Sequence, residues 1–204
     1  MQDTNTWSAP DLPVAVALRR FYAAHDIGAD GDFDAPYHDA AFGPLRYRVP
    51  NGPWRSNALR VHDHHHLATG YRADWVGESQ ISGWEVGAGL GPPSYGWVIA
   101  LWGVFVGAIL WPRATFAAYA RGRRGRTLYV APVDAPTVGA LRDALGVPDG
   151  PVPATLSDVV GFAGWLFVAA VAGALCVVPA ALFVMWASVA SAIVCPCSAR
   201  AAAA

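Results

Sequence analysis

A mainly α-helical fold is predicted from three observations. Apolar residues recur at helical spacing along most of the chain, cap and stop residues bracket those stretches, and the strand-like run TLYV (127–130) is too short to found a sheet. The 204 residues suit one helical domain with an appendage. The division read from composition is a helical body over 1–150, a Pro-rich linker over 151–158 and an apolar C-terminal segment over 159–197.

The elements follow in order. Asp11 to about Ala24 reads as a helix, with Asp11 as cap, Pro13 in its first turn, and Leu12, Ala15 and Val16 on one face. Residues 26–56 are broken by Gly, Pro, Asp and Asn and read as loop and turn. Asn57 is placed to cap a helix running to about Thr69, which Gly70 stops. Asp74 caps a second helix from Trp75 to about Val86. Gly96–Trp111 is strongly apolar but too short to cross a bilayer, so it reads as a core helix closed by Pro112. A shorter helix continues to about Arg121, and Thr137–Leu145 forms another, ended by Gly146.

Charge and composition exclude several classes. A net charge of −1 gives no bulk attraction to nucleic acid. All 14 basic residues are Arg, which rules out a Schiff-base lysine and a P-loop lysine. Cys176 sits in an apolar run, and Cys195-Pro196-Cys197 lacks the C-x-x-C spacing of redox and zinc motifs. The N-terminal MQDTNTWSAPDLP has neither the basic-then-apolar pattern of a signal peptide nor the Arg-rich, acid-free pattern of a transit sequence.

The C-terminal segment points to a membrane. No charged residue occurs in the 36 positions from Val159 to Val194. A bilayer core takes about 20 apolar residues, so two arrangements are open: one long span, kinked near Pro179, or a helical hairpin turning there. With no signal peptide read at the N-terminus and the Arg-rich YARGRRGR (119–126) preceding the segment, the main domain is expected to face the cytoplasm. That run reads either as a solvated helix end or as an anionic-headgroup contact.

Candidate chemistry concentrates in VHDHHHLATGYRADWVGE (61–78). At about 100° per residue, with His62 at zero, His66 falls at about 40°, Asp63 at about 100°, His65 at about −60° and His64 at about 200°. His62, Asp63 and His66 therefore share a face, His65 flanks it and His64 lies on the far side. Two histidines at i and i+4 reach one ion from a helix, although such a pair also occurs as plain polar surface. Glu78, in the first turn of the return helix, faces back across the hairpin, and Gly77 beside it suits close helix approach. His62, Asp63, His66 and Glu78 make a four-donor set of nitrogen and oxygen for a divalent cation, suiting zinc, iron or manganese over calcium or magnesium. His65 is a candidate neighbour or acid/base group, and Arg72 a candidate contact for a substrate carboxylate. Trp75, Ile81, Trp84, Val86 and the 97–111 helix are either ordinary core or the lining of a groove for a lipid tail. A competing threading, His38, His62-Asp63 and Asp134 as an H…HD…D phosphohydrolase, leaves His66 and Glu78 without a role.

The spacing H-D-x-x-H-x(11)-E, here His62, Asp63, His66, Leu67 to Gly77, then Glu78, resembles the signature of the coenzyme Q biosynthesis protein 4 family. HLATGY (66–71), GESQISGWE (77–85), TFAAYARGRRGRTLYV (115–130) and TVGALRDALGV (137–147) extend the likeness over roughly residues 38–150, not the apolar C-terminal segment. The resemblance implies an all-helical protein at the inner membrane, with a metal, usually zinc, held by His62, Asp63, His66 and Glu78. It implies a polyprenylated aromatic or quinone lipid as ligand. It further implies a role either in oxidative decarboxylation of a polyprenylated hydroxybenzoate head group or as a scaffold. Other quinone-biosynthesis proteins, or a second copy of the chain, would be its partners.

Overall fold

The computed structural model describes residues 6–28, 31, 33–42, 45–92 and 94–194. Among them the chain is mainly helical. Seven helices, α1 (Val14–Ala24), α2 (Pro53–Thr69), α3 (Trp75–Ala88), α4 (Tyr95–Leu110), α5 (Pro112–Gly122), α6 (Val138–Leu145) and α7 (Leu156–Val194), are joined by one antiparallel hairpin of β1 (Tyr37–Phe42) and β2 (Leu45–Pro50).

Local signals set most helix ends. The Asp74 carboxylate accepts the Gly77 amide at the start of α3, Ser94 accepts Gly96 at α4, and Thr137 accepts Ala140 at α6. Gly70 and Gly146 end α2 and α6 in the left-handed region, at φ 79° and 63°. Four readings are corrected. α1 begins at Val14 with Pro13 in the cap position and no side-chain cap bond, so Asp11 does not cap it. Tyr37–Phe42 and Leu45–Pro50, expected as mostly loop and turn, pair as antiparallel strands. α2 begins four residues before Asn57, because Pro53 supplies a preset φ and needs no amide partner in the first turn. TLYV forms a turn, with Val130 and Ala131 amides donating to the Thr127 carbonyl.

α3 is the central partition. Its small face packs on α5 so closely that a Cβ on Gly83 would lie 2.5 Å from the Thr115 carbonyl oxygen, and one on Gly87 would lie 2.3 Å from that of Tyr119. Glu78 and Glu85 are seven residues apart, two helical turns, and so share the opposite face, toward α2. Ile81 and Trp84 are fully buried in a core built with Trp7, Phe21, Leu67, Leu141 and Leu145. Val86 is buried in a second core with Val104, Tyr119, Phe162 and Ala169. These three side chains are therefore core rather than groove lining, while Trp75 is exposed.

α7 runs as one helix through Pro179, the uninterrupted arrangement of the two that were open. Its start is a capping box: the Asp158 carboxylate accepts the Thr155 amide at 2.8 Å, and the Asp158 amide donates to the Thr155 hydroxyl at 3.3 Å. Arg124 reaches Asp158 at 2.7 Å and Arg123 at 3.5 Å. Arg121 donates to the carbonyls of Thr69 and Pro148, and Arg126 to that of Ala144. The Arg-rich run thus fastens α2, α6 and α7 together. From there α7 packs on α4 and α5 through Phe162, Trp165, Leu166 and Ala169. Leu156–Leu175 is long and apolar enough to cross a membrane, with only 22% of that stretch buried. Cys195 and Cys197 lie outside the described residues.

Candidate metal centre

The α2–α3 turn brings three donors together. One atom each from His62, His66 and Glu78 lies within 4.8 Å of the others. His62 Nε2 is 3.2 Å from His66 Nε2 and 3.3 Å from Glu78 Oε2, and His66 Nε2 is 3.6 Å from Glu78 Oε1. Ligands about 2.05 Å from a tetrahedral zinc stand about 3.3 Å apart; the two imidazole nitrogens stand close to that spacing, and the Glu78 carboxylate meets each of them through a different oxygen. Both histidines are buried, whereas the Glu78 side chain is 40% exposed and forms the open side.

Hydrogen bonding fixes which nitrogens are free. The Tyr71 carbonyl, 2.8 Å from His66 Nδ1, can only accept, so His66 carries its proton on Nδ1 and turns the Nε2 lone pair inward. Burial lowers the His66 pKa to about 4, leaving it neutral at pH 7. His62 Nδ1 lies 3.0 Å from Glu85 Oε1, which accepts its proton. Burial lowers the His62 pKa, but Glu85 and Glu78 outweigh it and the net shift is upward. His62 Nε2 thus faces a lone pair and a carboxylate and requires a positive species there, either its own second proton or a cation.

Asp63 stands apart from the three-donor group. Its carboxylate accepts the Tyr22 hydroxyl at 2.9 Å, and burial pushes its pKa up to about 6, against the pull of His62 and Tyr22. His65 is fully buried and bound at both nitrogens: the Leu128 amide donates to Nε2 at 2.9 Å and Nδ1 meets Glu85 Oε1 at 2.7 Å. His64, as the helical wheel required, lies elsewhere, with Nδ1 2.6 Å from the Arg60 carbonyl. Arg72 pairs with Asp74 at 3.0 Å on the surface. Gly77 makes its close approach to the Arg72 carbonyl in the turn, 1.9 Å from where a Cβ would stand, rather than to α2. Asp134 is exposed on the α5–α6 connection, and the His38 side chain lies outside the described residues.

Glu85 is the residue the sequence reading missed. Its signal was present, a lone charge in an otherwise uncharged stretch of α3, two turns from Glu78. Burial would raise its pKa, but His62 and His65 hold it down at about 2. The arrangement defines a class: a helical protein with a buried two-histidine, one-glutamate donor set between consecutive helices. Comparison with family models, curated proteins and solved structures finds no match for this chain.

Proposed function

We propose that this protein is a metal-dependent member of quinone biosynthesis seated at the bacterial inner membrane, with its main domain cytoplasmic. The observation that carries the metal reading is the convergence of His62 Nε2, His66 Nε2 and the Glu78 carboxylate, one donor atom from each lying within 4.8 Å of the others. Two histidines and one glutamate form a known catalytic zinc set, and two histidines with one carboxylate equally suit non-haem iron; manganese is a third candidate. Asp63, one residue from His62, is the fourth donor of the motif and is held by Tyr22 at the edge of the site. When bound, the metal would supply a Lewis acid for a carboxylate or phenolate oxygen. The protein's own part is to hold the donors in one tautomer on a side open at Glu78.

The quinone assignment is supported by the H-D-x-x-H-x(11)-E spacing and the flanking motifs. Its substrate would be a polyprenylated hydroxybenzoate, its head group undergoing oxidative decarboxylation. Zinc has no redox chemistry, so a zinc centre would only bind and polarise the head group, whereas iron could also activate an oxidant such as dioxygen; either enzyme would need that oxidant supplied from outside. A lipid setting is supported by the apolar side chains that α4 and α7 leave uncovered, Val98, Ile109 and Leu110 on the first and Val160, Phe167 and Leu175 on the second.

Elemental analysis of the purified full chain tests the reading directly. About one equivalent of zinc, iron or manganese is expected in the wild type and none in His66→Ala or Glu78→Ala. Both variants should also lose head-group turnover. Restored quinone synthesis by a metal-free variant would overturn the enzymatic reading and leave a quinone-binding scaffold.

A further inference from the structure

One buried acid beside the three donors is not itself a donor. Glu85 is fully buried, receives two histidines on Oε1, and has no partner for Oε2. Burying a carboxylate costs several kcal/mol unless it is well compensated. Packing alone does not explain it, because a glutamine amide oxygen accepts the same two N–H groups. What glutamine lacks is the charge.

The proton positions follow from a chain of donors. The Leu128 N–H can only donate, so His65 Nε2 is its acceptor and the His65 proton sits on Nδ1. That proton points at Glu85 Oε1, 2.7 Å away. The same oxygen faces His62 Nδ1 at 3.0 Å, so His62 also holds its proton on Nδ1 and turns Nε2 toward His66 and Glu78. A carboxylate accepting the outer N–H of a ligating histidine fixes the ring and makes it a better donor to the metal.

Resting on the metal-centre reading, we propose that Glu85 is the positioning residue of this site: it holds the outer proton of His62 and presents Nε2 to the ion, while His65 pins Glu85 from the far side. His65 is not a ligand, since both its nitrogens are engaged. The backbone at Leu128, in the turn after α5, thereby helps orient a donor on α2.

Cobalt(II) titration of the full chain in detergent, with competition against a chelator, tests this on the wild type, Glu85→Gln and Glu85→Ala. The expected loss of affinity is about 10-fold for Glu85→Gln, which keeps the acceptor without the charge, and about 100-fold for Glu85→Ala, which keeps neither. The cobalt visible spectrum should shift more in the alanine variant. Long-range proton–nitrogen NMR of the zinc-loaded wild type should show His62 and His65 protonated on Nδ1. Unchanged affinity and spectrum in both variants, or His65 protonated on Nε2, would overturn the proposal while the metal reading stands. A wild type that binds no cobalt overturns both. Should Glu85→Ala fail to fold, Glu85→Gln, which fills the same volume, carries the comparison.

Discussion

Among the described residues, two carboxylates, Asp158 and Glu85, are almost wholly shut off from solvent, and their surroundings differ in a telling way. Asp158, at the start of α7, accepts the Thr155 amide and hydroxyl and meets Arg123 and Arg124. Every partner is a hydrogen donor, and no lone pair is left aimed at another. Glu85, in α3, meets only histidines, leaves Oε2 unpartnered, and belongs to a group in which two ring nitrogens face each other 3.2 Å apart. The first arrangement is complete as it stands. The second is completed by a cation or a proton. A buried acid held by Arg and backbone amides is a fastening; one held by His, with donors left converging, is a site.

The largest expected effect separates the two by metal removal. A ligand present at about 100 times its Kd stabilises the folded state by about 2.7 kcal/mol. Chelation should therefore lower the melting temperature of the wild type and leave that of His66→Ala unmoved. If both respond equally, the stabilising ion is held somewhere other than the α2–α3 turn.

Next in size is Asp158→Ala, expected to cost about 2 kcal/mol. That figure discounts the value of a broken buried ion pair because the two arginines remain partly in water. The pH dependence follows from the same contacts. Burial would raise the Asp158 pKa, but the Thr155 amide and hydroxyl and Arg124 hold it down at about 2, below its ordinary 3.8. Its stabilisation is complete above pH 4 and lost as pH falls from 4 through 2. Denaturant titrations should show this loss in the wild type and its absence in Asp158→Asn.

Thr155→Ala should cost about 1 kcal/mol, the usual value of an N-cap. A cost below a few tenths would place the fastening in the arginines alone. The smallest effect belongs to Arg72→Ala, within about 0.5 kcal/mol, because its bond to Asp74 is on the surface. A large loss of turnover with stability intact would restore the substrate contact read from sequence.

How much was legible follows the same division. The helix bearing His62 and His66, its stop at Gly70, the restart at Asp74 and the exclusion of His64 rest on rules acting within a few residues, and all are present. The lone charge of Glu85 was visible but its pairing was not, because its partners lie 20 and 23 residues away and their meeting depends on how α3 seats against α2. The Arg-rich run shows the same limit. Read alone it looked like solvated charge or a headgroup contact, whereas its targets are carbonyls and a carboxylate up to 52 residues distant. The β hairpin was hidden because turn-forming residues on both sides of it outweighed two short six-residue strands.

The glycine contacts between α3 and α5 have a mechanical meaning for the metal centre. At Gly83 and Gly87 backbone rests on backbone, so little side-chain packing lies between the two helices there to absorb a displacement. α5 is continuous with α4 through the Trp111–Pro112 corner, and α4 carries part of the exposed apolar surface. α4 also rests directly on α3, where a Cβ on Gly103 would meet Ser82 and the Glu78 carbonyl, so a displacement of that outer surface would reach the helix that carries Glu78 and Glu85. The wall that carries the carboxylates is thus backed, on its far side, by backbone rather than by side chains at these two positions.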